Sequence, residues 1–378
     1  MLHRTIATLF LLGLTFMCLN VWADEPTTPD AGKADALQEP TPQLPETEVI
    51  GQPAATAAPA SEDTGTHSIL EGTVFSSPKA DGYNAESSTA ATLIDVPNID
   101  IPATVNVVPE AVMADQQVLD IDDLIRNIGA AVKVNDDRRP DAFYMRGFLV
   151  TTDDYRKDGF LDPTYTPRDF ANVQQVEVLK GPASVLYGAS DPAGTVNLIT
   201  VNPLAQRMQD ATMQFGSFGL ERYTVDSTGP VNGDGSLLYR INAAYQDGES
   251  FRDYGFDEHT FVAPAMTWLI NSDTSLTWKA EFNNDRRRYD TGVAAENGQL
   301  VLPISTYLGE PNNDVQHFQD YRETLMLNHR IDEDWSWRIG GSSLFYDAPS
   351  SATIPVDFIG PTMLGPDTFL RSRQDIGP

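Results

Sequence analysis

The chain has 378 residues and carries 54 acidic against 25 basic side chains, a formal net charge of -29. Phosphate recognition needs a basic face, so this balance argues against nucleic acid as a partner. The five histidines are scattered, no spacing among them matches a zinc site, and no nucleophile–base set stands out, so the chain does not read as an enzyme. Acidic pairs such as Asp122-Asp123 and Asp136-Asp137 read as solvated faces.

Residues 1–23 have the form of a secretory signal. His3 and Arg4 open it, Ile6 to Leu19 is apolar, and Val21-Trp22-Ala23 puts small residues where cleavage needs them. The apolar run is too short for a membrane span of about 20 residues. Cys18 lies inside this segment, so the exported chain has no cysteine and no internal disulfide.

From Asp24 to residue 68 the chain is rich in Pro, Ala, Thr and acidic residues. Such a linker buries too little apolar surface to offset its ordering entropy. Within it, Glu46-Thr47-Glu48-Val49-Ile50 has strand character, suited to adding an edge to a partner's sheet. The alternative is an ordinary linker with a chance apolar pair.

Folded sequence is expected over 69–203. Val105 to Val108 reads as a strand, and Pro109 opens a helical piece. Over Asp115 to Ile128, residues Val118, Ile121, Leu124, Ile125 and Ile128 mark one helix face. Phe143-Tyr144-Met145-Arg146-Gly147-Phe148 and Tyr155-Arg156-Lys157-Asp158-Gly159-Phe160 each place a glycine where a tight reversal needs one. Val173 to Pro203 holds two apolar strands around a dense Gly/Pro/Ser stretch.

After Pro203 the period becomes two. Leu276, Trp278, Ala280 and Phe282 share one face, and Thr277, Lys279, Glu281 and Asn283 the other. Polar-in, apolar-out alternation is the transmembrane β-barrel pattern, though a soluble sandwich alternates as well. Seven strands are expected near 210–216, 222–229, 237–247, 259–270, 275–284, 323–331 and 335–346. Tight turns at 271–273 and 332–334 contrast with long connections at 248–258 and 285–322, as in an outer-membrane barrel.

The motifs quoted for 69–203, above all Val173 to Pro203, resemble the plug domain of TonB-dependent outer-membrane receptors. Two departures are plain. Ile128-Gly129-Ala130-Ala131 stands where that family has a Pro-Gly turn, and Asp191-Pro192-Ala193-Gly194 where it often has Gly-Gly. The resemblance implies an α+β plug followed, over 204–378, by the first strands of an antiparallel barrel. Transporters of this kind use about 22 strands, so the barrel is expected to be incomplete.

It further implies that Glu46 to Ile50 is the TonB box. Arg146 and Lys180 are expected either to pair with acidic residues of the inner barrel wall or to be plain surface charges. The implied cargo is a ferric siderophore, with no resident cofactor and with the outer membrane's lipid around the barrel. Arg138, Arg139, Asp154 and Tyr165 are candidate ligand contacts, because a chelate offers oxygens to cations and faces to aromatic rings. The alternatives are another cargo (cobalamin, a glycan or another metal chelate) or a non-transporting structural or adhesive surface protein.

Overall fold

A computed structural model describes residues 82–134, 141–181, 184–187, 192–293, 295–296, 299–300, 302–332, 335–362 and 365–376. The signal, the linker, Glu46 to Ile50, Arg138 and Arg139 lie outside the described residues.

The plug is built on a five-stranded sheet. We label its region β1 (Thr104–Pro109), β2 (Ala131–Lys133), β3 (Phe143–Met145), β4 (Phe148–Val150), β5 (Tyr155–Lys157), β6 (Phe160–Leu161), β7 (Val173–Lys180) and β8 (Gly194–Thr200). The sheet order is β1-β7-β8-β5-β6, with β8 and β5 parallel and the other pairs antiparallel. Strands β2, β3 and β4 form a separate small sheet. One face of the main sheet packs Val176, Val178, Val196 and Leu198 against Ile121, Leu124, Phe143 and Met145. Each such side chain contributes roughly 1.5–3 kcal/mol on burial.

The apolar stripe over 115–128 faces this core as expected, but it is not one helix. Helix α1 (Glu110–Asp115) stops, Gln117 turns with φ +51, and α2 (Ile121–Leu124) restarts before a 3-10 turn at Ile125–Asn127. Asp120 caps the restart by accepting from the Asp123 N–H at 3.0 Å. A second cap competes with continuing the first helix, and the cap wins.

The two expected reversals are two-residue hairpins. Arg146 and Gly147 have φ +53 and +86, Asp158 and Gly159 +50 and +84. Two consecutive positive φ angles twist the turn to match right-handed strands. Downstream, Gly194 at φ +134 cannot be replaced cheaply, since a Cβ there would lie 2.1 Å from the Leu179 carbonyl oxygen. Ala193 avoids positive φ, as a residue with a Cβ should.

Beyond residue 203 nine strands form one sheet, apart from a short hairpin of Ala295–Glu296 with Gln299–Leu300: β9 (Met208–Phe215), β10 (Glu221–Pro230), β11 (Leu237–Glu249), β12 (Phe256–Asn271), β13 (Thr274–Arg288), β14 (Val315–Arg330), β15 (Ser336–Asp347), β16 (Ser350–Thr362) and β17 (Gly365–Ile376). They pair antiparallel, β9 through β14 in order, with β15 along most of β14. The count corrects the seven expected. Strands β16 and β17 were hidden by Pro355, Gly360 and Pro361, which break an alternation pattern; β-bulges along the pair absorb these irregularities. Residues 285–288 and 315–322 also pair although they are mostly polar. Backbone hydrogen bonds continue a ladder where there is no lipid to demand apolar side chains.

The alternation sorts the wall as expected. Thr277, Lys279, Glu281 and Asn283 are buried on the inner side, while Phe282, Trp268, Leu325 and Ile339 are 51%, 50%, 49% and 65% exposed. Among the described residues no helix is long and apolar enough to cross a membrane, which says nothing of strands.

Candidate functional site at the plug–barrel seam

The segment after β6, Asp162 to Asn172, lies on the inner barrel wall, and its chemistry is ionic. Lys157 Nζ meets Glu281 Oε2 at 2.6 Å, and Asn172 Nδ2 donates to the other oxygen of Glu281 at 2.6 Å. Lys279 of the wall reaches in the opposite direction, bonding Asp158 at 3.0 Å and the Thr200 hydroxyl at 2.6 Å. Arg222 grips both oxygens of Asp169 at 2.8 and 2.9 Å. His259 places one ring nitrogen 3.0 Å from Asp169 and the other 3.2 Å from Asp285. Asn283 Nδ2 donates to the Pro167 carbonyl at 2.9 Å.

Arg168 organises the plug side. Its guanidinium bonds Asp141 at 2.7 Å and Asp162 at 2.8 Å, and it stacks 3.9 Å above the Tyr155 ring. Arg322 of β14 completes the set on Asp162. Burial alone pushes Asp162 upward, but Arg168, Arg322 and Lys157 overcome it and hold the carboxyl well below its usual range. Burial and then Lys279 act likewise on Asp158, which also ends below its usual value. Buried charges persist only when paired and hydrogen-bonded, and these are. The arrangement fixes a folded insert inside a wall largely through ionic and hydrogen-bonded contacts, with a small apolar patch where Ala171 packs on Ala244, Phe261 and Ala263.

Arg146 sits at the exposed tip of its hairpin, and among the described residues no carboxylate pairs with it or with Lys180. Lys180 Nζ lies 3.4 Å from Asn106 Oδ1, and burial followed by the Arg146 charge lowers its pKa. In the next hairpin Lys157 and the turn residue Asp158 both meet the wall, on Glu281 and Lys279. Asp154 is fully buried and accepts from the Thr151 N–H at 2.9 Å in a capping box, which gives it a structural role. Tyr165 is 39% exposed, beside Thr151, Thr152 and Thr164.

Sequence reasoning missed Asp158, Asp162, Arg168, Asp169, Arg222, His259 and Arg322. The adjacent opposite charges Arg168-Asp169, in a segment 163–172 with no other charge, were the available signal. The inward column at 277–283 is legible in the sequence, but not its partners, which lie 79 to 124 residues away.

The long connections lie opposite the tight turns and fold on each other. Arg252 bonds Asp290 at 2.7 Å, and the Asp253 N–H donates to the Ser305 carbonyl at 2.8 Å. Phe251 and Tyr254 remain 50% and 66% exposed there.

A plug sheet held by ion pairs within an antiparallel, lipid-facing wall defines a plugged outer-membrane receptor. Residues 97–195 match the TonB-dependent receptor plug domain, and the chain belongs to the TonB-dependent outer-membrane receptors. It is 38% identical over 267 residues to the metal-pseudopaline receptor CntO of Pseudomonas aeruginosa (strain UCBPP-PA14), an alignment covering 68% of this chain and 37% of that one. It is 33% identical over 189 residues to the catecholate siderophore receptor Fiu of Escherichia coli (strain K12), covering 48% and 24%. The crystal structure of the Pseudomonas aeruginosa ferripyoverdine receptor bound to ferripyoverdine superposes with a TM-score of 0.70 at 20% identity, covering 80% of this chain and 41% of that one. The chain thus spans well under half the length of these relatives.

Proposed function

We propose that this protein captures a ferric siderophore at the cell surface and imports it through the plugged barrel, energised by TonB. The observation that carries the reading is the ionic seam, with Lys157 on Glu281 at its centre. An ion-paired plug is stable at rest yet separable, because water can replace each contact as it opens. Outer loops bearing Phe251 and Tyr254, with Tyr165, Arg138 and Arg139 of the plug, supply aromatic faces and cations for a chelate. In this reading Glu46 to Ile50 is the TonB box, the cargo is the only metal involved, and the protein performs no covalent chemistry.

A second reading changes only the cargo, to a chelate of another metal. The similarity to a metal-pseudopaline receptor favours it. Uptake of radiolabelled iron and other metal chelates by cells carrying the complete receptor separates the two. Val49→Pro removes a backbone donor from the box and should abolish uptake while leaving surface binding intact. Normal uptake by that variant would overturn the coupling assignment.

A further inference from the structure

The outer surface of the wall changes character towards the long connections, and it does so over four strands. Register sorts the outward side chains of β12 to β15 into rungs about 7 Å apart. The first rung is Val262, Phe282, Tyr321 and Phe345. The Phe282 and Tyr321 rings lie 4.7 Å apart, and Phe282 and Phe345 are 51% and 68% exposed. The second rung is Thr260, Asn284, Gln319 and Asp347. Asn284 Oδ1 accepts from Gln319 Nε2 at 2.8 Å and lies 2.9 Å from His317 Nε2. The third rung is Glu258, Arg286 and His317. A groove of about 450 Å³ runs across the first two rungs, between Val262 and Thr260 on one side and Phe345 and Asp347 on the other. Its volume is that of a ligand site, which begins at about 300 Å³.

The pattern is local. On β10 and β11 the rung level with Asn284 is aromatic, with Tyr245 beside Thr260 and Tyr223 beside Tyr245. The rung above it there is acidic, with Asp247 beside Glu258 and Glu221 beside Asp247. A girdle of aromatic residues is what the bilayer boundary asks of any barrel. Amides set into that girdle beneath a guanidinium need a different cause. Arg286 is only partly engaged. It bonds Glu258 at 3.2 Å, lies 5.0 Å over the Phe256 ring, and keeps its side chain 43% exposed. A guanidinium has five donors and an exposed ion pair contributes little, so an incoming anion can share it.

We propose that this groove holds one phosphorylated glycolipid of the outer leaflet. Its acyl chain lies along Phe282, Tyr321 and Phe345, its sugar hydroxyls and amides meet Asn284, Gln319 and Asp347, and its phosphate meets Arg286. The order of the rungs, apolar then amide then cationic, is the order of groups in such a lipid read outward from the hydrocarbon. Asp347 sets the choice against a diacyl phospholipid. A carboxylate only accepts, and the ester region of a phospholipid has no donor to offer it, whereas a sugar has several. The site is independent of the cargo and of energy coupling.

The test is native mass spectrometry of the complete receptor in detergent, titrated with a bis-phosphorylated, acylated glucosamine disaccharide or with phosphatidylglycerol. Wild type should hold one molecule of the disaccharide lipid, and hold it more tightly than phosphatidylglycerol. Arg286→Gln, and separately Asn284→Leu with Gln319→Leu, should each weaken that binding about tenfold through lost hydrogen bonds. Tyr245→Leu, at the same level on β11, should leave it unchanged. Migration as a folded barrel in unheated SDS checks each variant. Asp347→Asn, a single exposed change with the same expected direction, replaces the double variant if that one does not fold. Equal binding by wild type, Arg286→Gln and the amide variants, or equal loss in Tyr245→Leu, would mean that lipid merely coats the belt and would overturn the site. Phosphatidylglycerol held as tightly as the disaccharide lipid would overturn the assignment to a glycolipid.

Discussion

Lys157 of the plug and Glu281 of the barrel wall are 124 residues apart and meet at 2.6 Å, their side chains 8% and 7% exposed. Glu281 also accepts from Asn172, so one wall carboxylate fixes two points of the plug.

Glu281→Ala should therefore leave Lys157 charged and unpaired at a poorly solvated seam. Removing one member of a buried pair costs about 3–5 kcal/mol. In the complete receptor the expected outcome is a lower thermal midpoint and increased leak of small ions across planar bilayers. Lys157→Met with Glu281→Leu should recover much of the stability, because an apolar pair has no charge to strand. Wild-type conductance and stability in Glu281→Ala would show that the seam is solvated.

Acid should weaken the same seam. Burial raises Asp158, Asp162 and Asp169, but Lys279, Arg168 with Arg322, and Arg222 respectively outweigh it, so each carboxyl titrates below its ordinary value of 3.8. The unfolded chain then binds these protons at higher pH than the folded one. Their contribution is complete above about pH 5 and is lost as pH falls through 4 and below. Denaturant midpoints should fall from pH 5 through pH 4 to pH 3. A level midpoint down to pH 3 would contradict the assignment.

Tyr155 is fully buried, donates to the Asp141 carbonyl at 2.6 Å and lies beneath the Arg168 guanidinium. Tyr155→Phe keeps the ring and strands the carbonyl, a loss of about 1–2 kcal/mol. Tyr155→Leu also removes the cation–π contact and should cost more. Chemical denaturation of the three proteins checks the order; Phe and Leu variants of equal stability would remove the Arg168 stacking from the account.

Gly194→Ala should be among the most damaging single changes in the plug. The new Cβ would meet the Leu179 carbonyl at 2.1 Å from a backbone with φ +134, so β7 and β8 would have to separate. Strain of this kind costs at least about 3 kcal/mol. Limited proteolysis should then cut the plug within 173–200; a protease-resistant variant with native stability would show that the strands tolerate the shift.

What the sequence determined by itself was local. Alternation at 276–283 assigned an inner and an outer face, the apolar stripe at Val118 to Ile128 found the core side of the plug, and the glycines at 147 and 159 marked the hairpins. Each depends on spacing within one element, where backbone geometry leaves few choices. Helix breaks, strands over polar stretches and the bulged 350–376 hairpin were not legible, because capping and pairing with a neighbour decided them against the local pattern. The ionic site was decided by tertiary structure alone. That Lys157 meets Glu281 depends on bringing two strands 124 residues apart together, and that Asp154 caps a turn depends on what lies three residues away in a folded loop. A charge announces in sequence that it needs a partner; only the packing of distant strands supplies one.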